Sequence, residues 1–77
     1  MNMPPKSFLR YVAEVYAENG NHPMLNSTLL DRVHDRGYPG SRDLAMTQLW
    51  QAISDNYLTT NLRFMARATT RLERKFR

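Results

Sequence analysis

Four arginines near the end of this sequence are the residues best suited to bind a charged partner. Arg63, Arg67, Arg71 and Arg74 recur at intervals of three or four, the spacing that places side chains on one face of an α-helix. Guanidinium groups make paired hydrogen bonds to phosphate and carboxylate oxygens. The spacing therefore predicts a basic helix face, roughly 16 Å long, that binds an anion.

The charge of the whole chain supports this prediction. The protein has 77 residues and a net charge of +4, yet residues 58–77 carry +5 and residues 1–57 carry −1. Charge concentrated in one segment indicates an anionic partner more strongly than the same charge spread evenly. Lys75 adds to this segment, and Phe64 lies where it could stack on a base or pack on a partner protein.

The elements that must position these residues follow from apolar periodicity. It predicts helices over about residues 5–18, 27–36, 42–54 and 58–77, the third capped by Ser41 and widened by Leu44, Met46 and Trp50. The last helix has its own apolar face, formed by Leu58, Leu62, Met65, Thr69, Leu72 and Phe76. We expect one all-α domain of four helices over residues 1–77, with residues 1–4 as a disordered lead-in.

One alternative applies to the start of the last helix. Residues 56–64 contain β-branched and aromatic side chains, which also suit a β-hairpin, the wing of a winged helix. However, the helical repeat continues to Phe76, and Asn61-Leu62 is not a tight hairpin turn. These two observations favour four helices.

Residues 29–53 form a predicted helix, a short turn and a second helix. The turn contains Arg36, Gly37, Tyr38, Gly40 and Ser41. This stretch resembles the helix-turn-helix of insertion-sequence transposases and related trihelical DNA-binding domains. The resemblance implies that helix 3 is a recognition helix, with Arg42, Thr47 and Gln48 directed at bases in the major groove. The same pattern also fits an ordinary helical hairpin in a bundle.

The sequence gives little support for an enzyme. It has no cysteine, and its two histidines, His22 and His34, lack the convergent partners that a metal site requires. No serine has a Gly-flanked turn or a base at a catalytic spacing, and no Gly-rich phosphate loop is present. We expect neither catalysis, a metal nor a cofactor. No apolar run is long enough to span a membrane, and we expect a cytoplasmic protein.

Two functions therefore remain from the sequence. The first is a small nucleic-acid-binding protein, such as a DNA-binding regulator, that contacts the phosphate backbone with its last helix. The second is a small phage-type inhibitor or adaptor that binds an acidic surface of a host protein. A homodimer through Phe64, Trp50 or Tyr57 is a further possibility.

Overall fold

The computed structural model describes residues 6–61 and 63–76, and these form four helices and three strands. Their order is α1 (Phe8–Glu18), β1 (Met24–Leu25), α2 (Asn26–Asp35), α3 (Arg42–Ser54), β2 (Leu58–Thr60), β3 (Met65–Ala68) and α4 (Thr70–Lys75). Residues 1–5, which include the predicted disordered lead-in, lie outside the described residues, as do Leu62 and Arg77.

Local capping sets the start of the helices. The Ser7 hydroxyl accepts a hydrogen bond from the Arg10 backbone N–H at 3.2 Å, so α1 begins at Phe8 rather than near Pro5. The predicted cap of α3 is confirmed, because Ser41 Oγ accepts from the Leu44 N–H at 3.1 Å. The observed bounds of α3 equal the predicted ones, and those of α2 differ by one residue.

The first three helices bury their apolar faces against one another and against the sheet. The core consists of apolar side chains from each of these layers and includes Val12, Val15, Leu29, Leu30, Val33, Ala45, Leu49, Leu58, Ala66 and Leu72. A single cluster of this kind is what a chain of 77 residues can form, because a small domain has only one hydrophobic core.

The predicted all-α fold is wrong, because the chain after α3 forms strands. The sheet has the order β1-β3-β2, and both pairs of strands are antiparallel. In the hairpin, Leu58 pairs with Ala68 and Thr60 with Ala66, while Met24 of β1 pairs with Ala66 from the other side. The domain is therefore mixed α/β, with helices α1 to α3 followed by a β-hairpin.

The single helix predicted over residues 58–77 is replaced by the hairpin and a short α4. Along β3, Ala66 and Ala68 are buried while Arg67 is exposed, which is the period of two that a strand requires. Helix α4 starts after Thr69, whose hydroxyl accepts a hydrogen bond from the Leu72 N–H. The β-hairpin considered for residues 56–64 is present, over residues 58–68, which gives the order of elements of a winged helix.

Helix α1 is attached to the centre of the sheet by a buried hydrogen bond. The Tyr16 hydroxyl donates to the Ala66 carbonyl at 2.6 Å, and burial raises the pKa of this hydroxyl well above its ordinary value. The phenol is 2% exposed, so water cannot replace this bond if it is lost.

We expect Tyr16→Phe to lower the free energy of unfolding by about 1–1.5 kcal/mol and Tm by about 5–10 °C, since a buried acceptor loses its donor. Tyr11→Phe is the matched control. The Tyr11 hydroxyl also donates to a backbone carbonyl, that of Gly37, but at 3.4 Å and with partial exposure. Thermal unfolding followed by circular dichroism should show a smaller loss for Tyr11→Phe. Equal losses would contradict this role of Tyr16.

A cluster of ion pairs connects α1 to α2. The Glu14 carboxylate lies 3.1 Å from Lys6 Nζ, 3.4 Å from Arg10 Nε and 3.3 Å from Arg36 Nη2. Arg36 also contacts Glu18. Burial raises the pKa of Glu14, but hydrogen bonds and charge interactions with Lys6 and Arg36 outweigh it, so this pKa lies below its ordinary value.

A lowered pKa in the folded state means that ionised Glu14 stabilises the fold above its unfolded pKa. This stabilisation is lost as the pH falls through the folded pKa. Glu14→Gln should therefore cost about 0.5–1 kcal/mol near neutral pH, and the difference from the wild type should shrink at about pH 3. Urea unfolding at both pH values measures it. Asp35→Asn, which removes an exposed carboxylate without an ion pair among the described residues, should change stability less at neutral pH.

Candidate functional site

The basic residues of the last segment follow the hairpin instead of one helix face. Arg63 lies in the loop between β2 and β3, and Arg67 lies on the exposed side of β3. Arg71, Arg74 and Lys75 are exposed on α4. The predicted single face of Arg63, Arg67, Arg71 and Arg74 is therefore wrong in its geometry, because the first lies in a loop, the second in a strand and the other two in a short helix.

The hairpin loop is held by the side chain of Asn61. Its Oδ1 accepts from the backbone N–H of Arg63 at 2.9 Å and from that of Met65 at 3.2 Å. The Phe64 N–H donates to the Asn61 carbonyl at 3.0 Å. Asparagine commonly closes turns in this way, since its short side chain accepts from backbone groups a few residues ahead. These bonds hold Arg63, Phe64 and Met65 to Asn61.

Phe64 projects from this loop in an unusual backbone conformation. Its φ is +57°, in the left-handed region that aromatic residues rarely adopt, and its side chain is 61% exposed. The Phe64 carbonyl accepts from the Asn26 N–H at 2.9 Å, which fixes the loop against the first residue of α2. Strained conformations of this kind cost of order 1 kcal/mol and concentrate at functional sites.

A cleft of ≈ 340 Å³ separates the hairpin tip from α3. It is lined by β1, α2, α3 and the hairpin loop, and the lining residues are Leu25, Asn26, Ser27, Met46, Trp50 and Phe64. The lining is mostly apolar, although Trp50 and Leu25 are 46% and 47% exposed. This volume lies within the range of about 300–1,000 Å³ that is usual for small-ligand sites.

Asn26 is the polar residue of the cleft that stands out. It is 7% exposed, and its Oδ1 has no hydrogen-bond partner among the described residues. A buried acceptor without a donor costs roughly 1–3 kcal/mol. Asn26 lines the cleft, and a ligand would have to bring an N–H group up to this enclosed oxygen to pair with it.

The outer face of the sheet continues from the cleft towards the base of the hairpin. Leu25 of the cleft is paired with Met65, and paired residues share a face of the sheet. Arg67 lies two residues further along β3 on that face, about 7 Å away, opposite Thr59. The Arg67 guanidinium is thus carried by the same surface that borders the cleft.

Two cations of α4 lie at the base of the hairpin. The Arg71 guanidinium is 4.7 Å from the centre of the Tyr57 ring, and Lys75 Nζ is 5.6 Å from it. Such cation–π contacts hold a charged group at an aromatic face without neutralising it. From the tip to the base, the order of cations is Arg63, Arg67, and then Arg71 with Lys75.

The two halves of the chain differ in how their cations are compensated. Before the hairpin, Lys6, Arg10, Arg36 and Arg42 each form an ion pair with a carboxylate, that of Arg42 being Asp31, and Arg32 is the one described cation there without such a pair. Within residues 63–76, by contrast, no arginine or lysine makes an ion pair with a described carboxylate. Glu73 of α4 instead accepts from the Asn21 amide at 2.8 Å.

The three residues predicted on α3 do not form one surface. Thr47 is exposed, and its hydroxyl donates to the Asp43 carbonyl at 3.1 Å. Arg42 contacts Asp31 of α2, and Gln48 is half-buried and accepts from the Tyr38 hydroxyl. As base-contacting residues all three remain predictions, and Thr47 alone faces solvent freely.

Sequence reasoning did not find the cleft. The spacing of Met46 and Trp50 was interpreted as a wider apolar core face, whereas the structure exposes both side chains. Leu25 and Asn26 had no role assigned to them as ligand-contacting residues. The only indication in the sequence is that Met46 and Trp50 lie outside the main apolar stripe of α3. That stripe consists of Ala45, Leu49 and Ala52.

The residues that the structure describes form neither a metal site nor a membrane-spanning helix. Among them no group of three or more metal-ligating side chains occurs, and no helix has the length and apolar character needed to cross a bilayer. Both ring nitrogens of His34 face backbone carbonyls, those of Leu30 and Gly40, at 2.9 and 3.0 Å, which makes this histidine a link within the turn before α3.

Comparison of the chain with protein-family models, with curated proteins and with solved structures found no match in any of the three. The resemblance of residues 29–53 to transposase helix-turn-helix domains therefore remains a prediction. What the surface can bind has to be argued from its own geometry and charge.

Proposed function

We propose that this protein binds nucleic acid through the β-hairpin and α4. The observation that supports the proposal is the uncompensated charge of this segment. Arg63, Arg67, Arg71, Arg74 and Lys75 are all exposed, and none makes an ion pair with a described residue. A row of free guanidinium groups matches the repeating phosphates of a nucleic-acid strand.

The hairpin gives this row its length. Arg63 lies in the loop before β3 and Arg67 lies within β3, and α4 carries the row of cations further along the chain. Each phosphate contact releases condensed counterions, so the affinity should fall steeply with salt. Five contacts give a slope in log–log terms of about −4.5 on a duplex and about −3.5 on a single strand.

Helix α3 would contribute less charge than a usual recognition helix. Its one arginine, Arg42, is paired with Asp31, and Asp43 lies in its first turn. Thr47 and Gln51 are exposed on this helix and could meet base edges. In this proposal, the hairpin and α4 supply the phosphate contacts, while α3 faces the bases.

A second candidate function is binding to an acidic surface of another protein. Exposed aromatic residues beside arginines are also typical of protein interfaces, and Trp50 and Phe64 lie together at the cleft. Recovery of a protein partner that survives nuclease treatment would favour this candidate.

The first test is a double substitution at the row of cations. Arg67→Gln with Arg71→Gln should remove two phosphate contacts and reduce the salt slope by about 1.8 on a duplex or about 1.4 on a single strand. Fluorescence anisotropy of labelled DNA and RNA over a range of salt concentrations measures this slope.

The control is Arg32→Gln with Arg36→Gln, which removes the same net charge from the far end of α2. This variant should keep the salt slope of the wild type, provided that circular dichroism shows it to be folded. The proposal fails if the wild type has no affinity at low salt for duplex DNA, single-stranded DNA or RNA. It also fails if both double variants lose affinity equally.

A further inference from the structure

We infer that the cleft between α3 and the hairpin tip binds an unpaired base, so that the protein prefers single-stranded nucleic acid to a duplex. This inference rests on the proposed nucleic-acid binding and specifies its ligand. It comes from three features of one place: two exposed aromatic rings, an unpaired buried amide and adjacent free arginines.

The aromatic residues come from two different elements. Trp50 projects from α3 and Phe64 from the hairpin loop, and both line the same cleft. Proteins that bind single strands use such rings as platforms, because every base has a flat face that can stack on them. The apolar side chains of Leu25 and Met46 complete a lining that suits the faces of a base rather than a phosphate.

The unpaired amide of Asn26 restricts the chemistry of the ligand further. Its buried Oδ1 needs a donor. Phosphates and ionised carboxylates offer acceptors alone, so neither a phosphate backbone nor an acidic side chain can satisfy it. The edge of an unpaired base carries N–H donors, and an asparagine amide pairs well with an adenine edge.

The charges near the cleft suit the strand that carries the base. Arg63 directly precedes Phe64, and Arg67 lies on the sheet face that borders Leu25. A base inside the cleft keeps its phosphates outside, where these two guanidinium groups can reach them. A second apolar cleft lies between α1 and α4. It lacks a complementary positive charge, since its lining includes the carboxylate of Glu73.

A duplex would fit this surface poorly. Bases in a duplex are stacked and paired, so one of them would have to be flipped out of the helix to enter the cleft. The exposed side of α3 also offers a major groove little free positive charge, because Asp43 is acidic and Arg42 is engaged with Asp31. A base that is already unpaired needs neither flipping out of a helix nor a positively charged contact from α3 in the major groove.

The cleft is held in shape by hydrogen bonds within the chain. Asn61 closes the loop, and the backbone bond from Asn26 to Phe64 holds the loop against α2. A site held by its own hydrogen bonds loses little conformational entropy when a ligand binds. Phe64 then maintains a left-handed backbone that places its ring beside the cleft.

The test uses the chain's single tryptophan as a probe. Titration of the wild-type protein at low salt with a labelled single-stranded oligonucleotide, and with its duplex, gives both affinities by anisotropy. A base stacked on Trp50 should quench the indole emission as the single strand binds. We expect tighter binding to the single strand than to the duplex, accompanied by quenching.

Two variants remove parts of the cleft while preserving the fold. Phe64→Gly suits the positive φ without strain, so Tm should stay within about 4 °C of the wild type. Its single-strand affinity should fall about 5- to 140-fold, the usual effect of losing a stacking aromatic. Asn26→Leu should keep or raise Tm, because it removes the unpaired acceptor, while it also weakens single-strand binding.

Leu44→Ala is the matched control. Leu44 of α3 is 47% exposed, close to the 46% of Trp50, but it does not line the cleft. This variant should bind single strands within about twofold of the wild type, since it lies outside the stacking site.

The possible outcomes separate this inference from the proposed function. Single-strand binding without tryptophan quenching, or with unchanged affinity in both cleft variants, would overturn the inference and leave nucleic-acid binding intact. No affinity for any nucleic acid would overturn both. Cleft variants that lose self-association in analytical ultracentrifugation, without losing nucleic-acid affinity, would assign the cleft to a second copy of this chain and also overturn the inference.

Discussion

The position of β3 between β1 and β2 is the constraint on which the rest of the domain depends. This strand pairs on both sides, and its inward face carries Ala66 and Ala68. Small side chains at these positions let the sheet approach α1 closely, and the Tyr16 hydroxyl then reaches the Ala66 carbonyl. Once β3 is fixed, the loop before it and α4 after it have little freedom. The hairpin tip and the cations of the last segment therefore take positions that the core dictates.

The sequence predicted the first three helices and the Ser41 cap of α3 well, because each of these helices has a regular apolar face. Ser41 and the bounds of α3 are examples. It failed after α3 for a physical reason. The inward residues of β3 are alanines, which mark a buried strand face weakly, while Leu58, Met65 and Leu72 happen to repeat at helical spacing. The missing tight turn was also misleading, since Asn61 closes a longer loop with its side chain.

The site was predictable in composition but not in shape. Excess charge in the last third of the chain is a property of the sequence, and the exposed arginines and Lys75 do carry it. Their arrangement depends on the hairpin, so residues assigned to one helix face are distributed from a loop to a strand and a short helix. The cleft was not predictable, because Leu25, Trp50 and Phe64 come together only through the docking of the loop on α2.

Two local rules of protein structure are broken within this one small region. Phe64 has a left-handed backbone, and the buried Oδ1 of Asn26 has no partner in the described part of the chain. The backbones of these two residues are hydrogen-bonded to each other. By contrast, α1 and α3 have ordinary side-chain caps, and Arg36 and Arg42 form ion pairs with carboxylates. Together the two departures cost roughly 2–4 kcal/mol, a large share of the stability of a domain this small. Local conflicts of this kind usually persist where a ligand compensates them, and a base between two aromatic rings would supply the donor that Asn26 lacks.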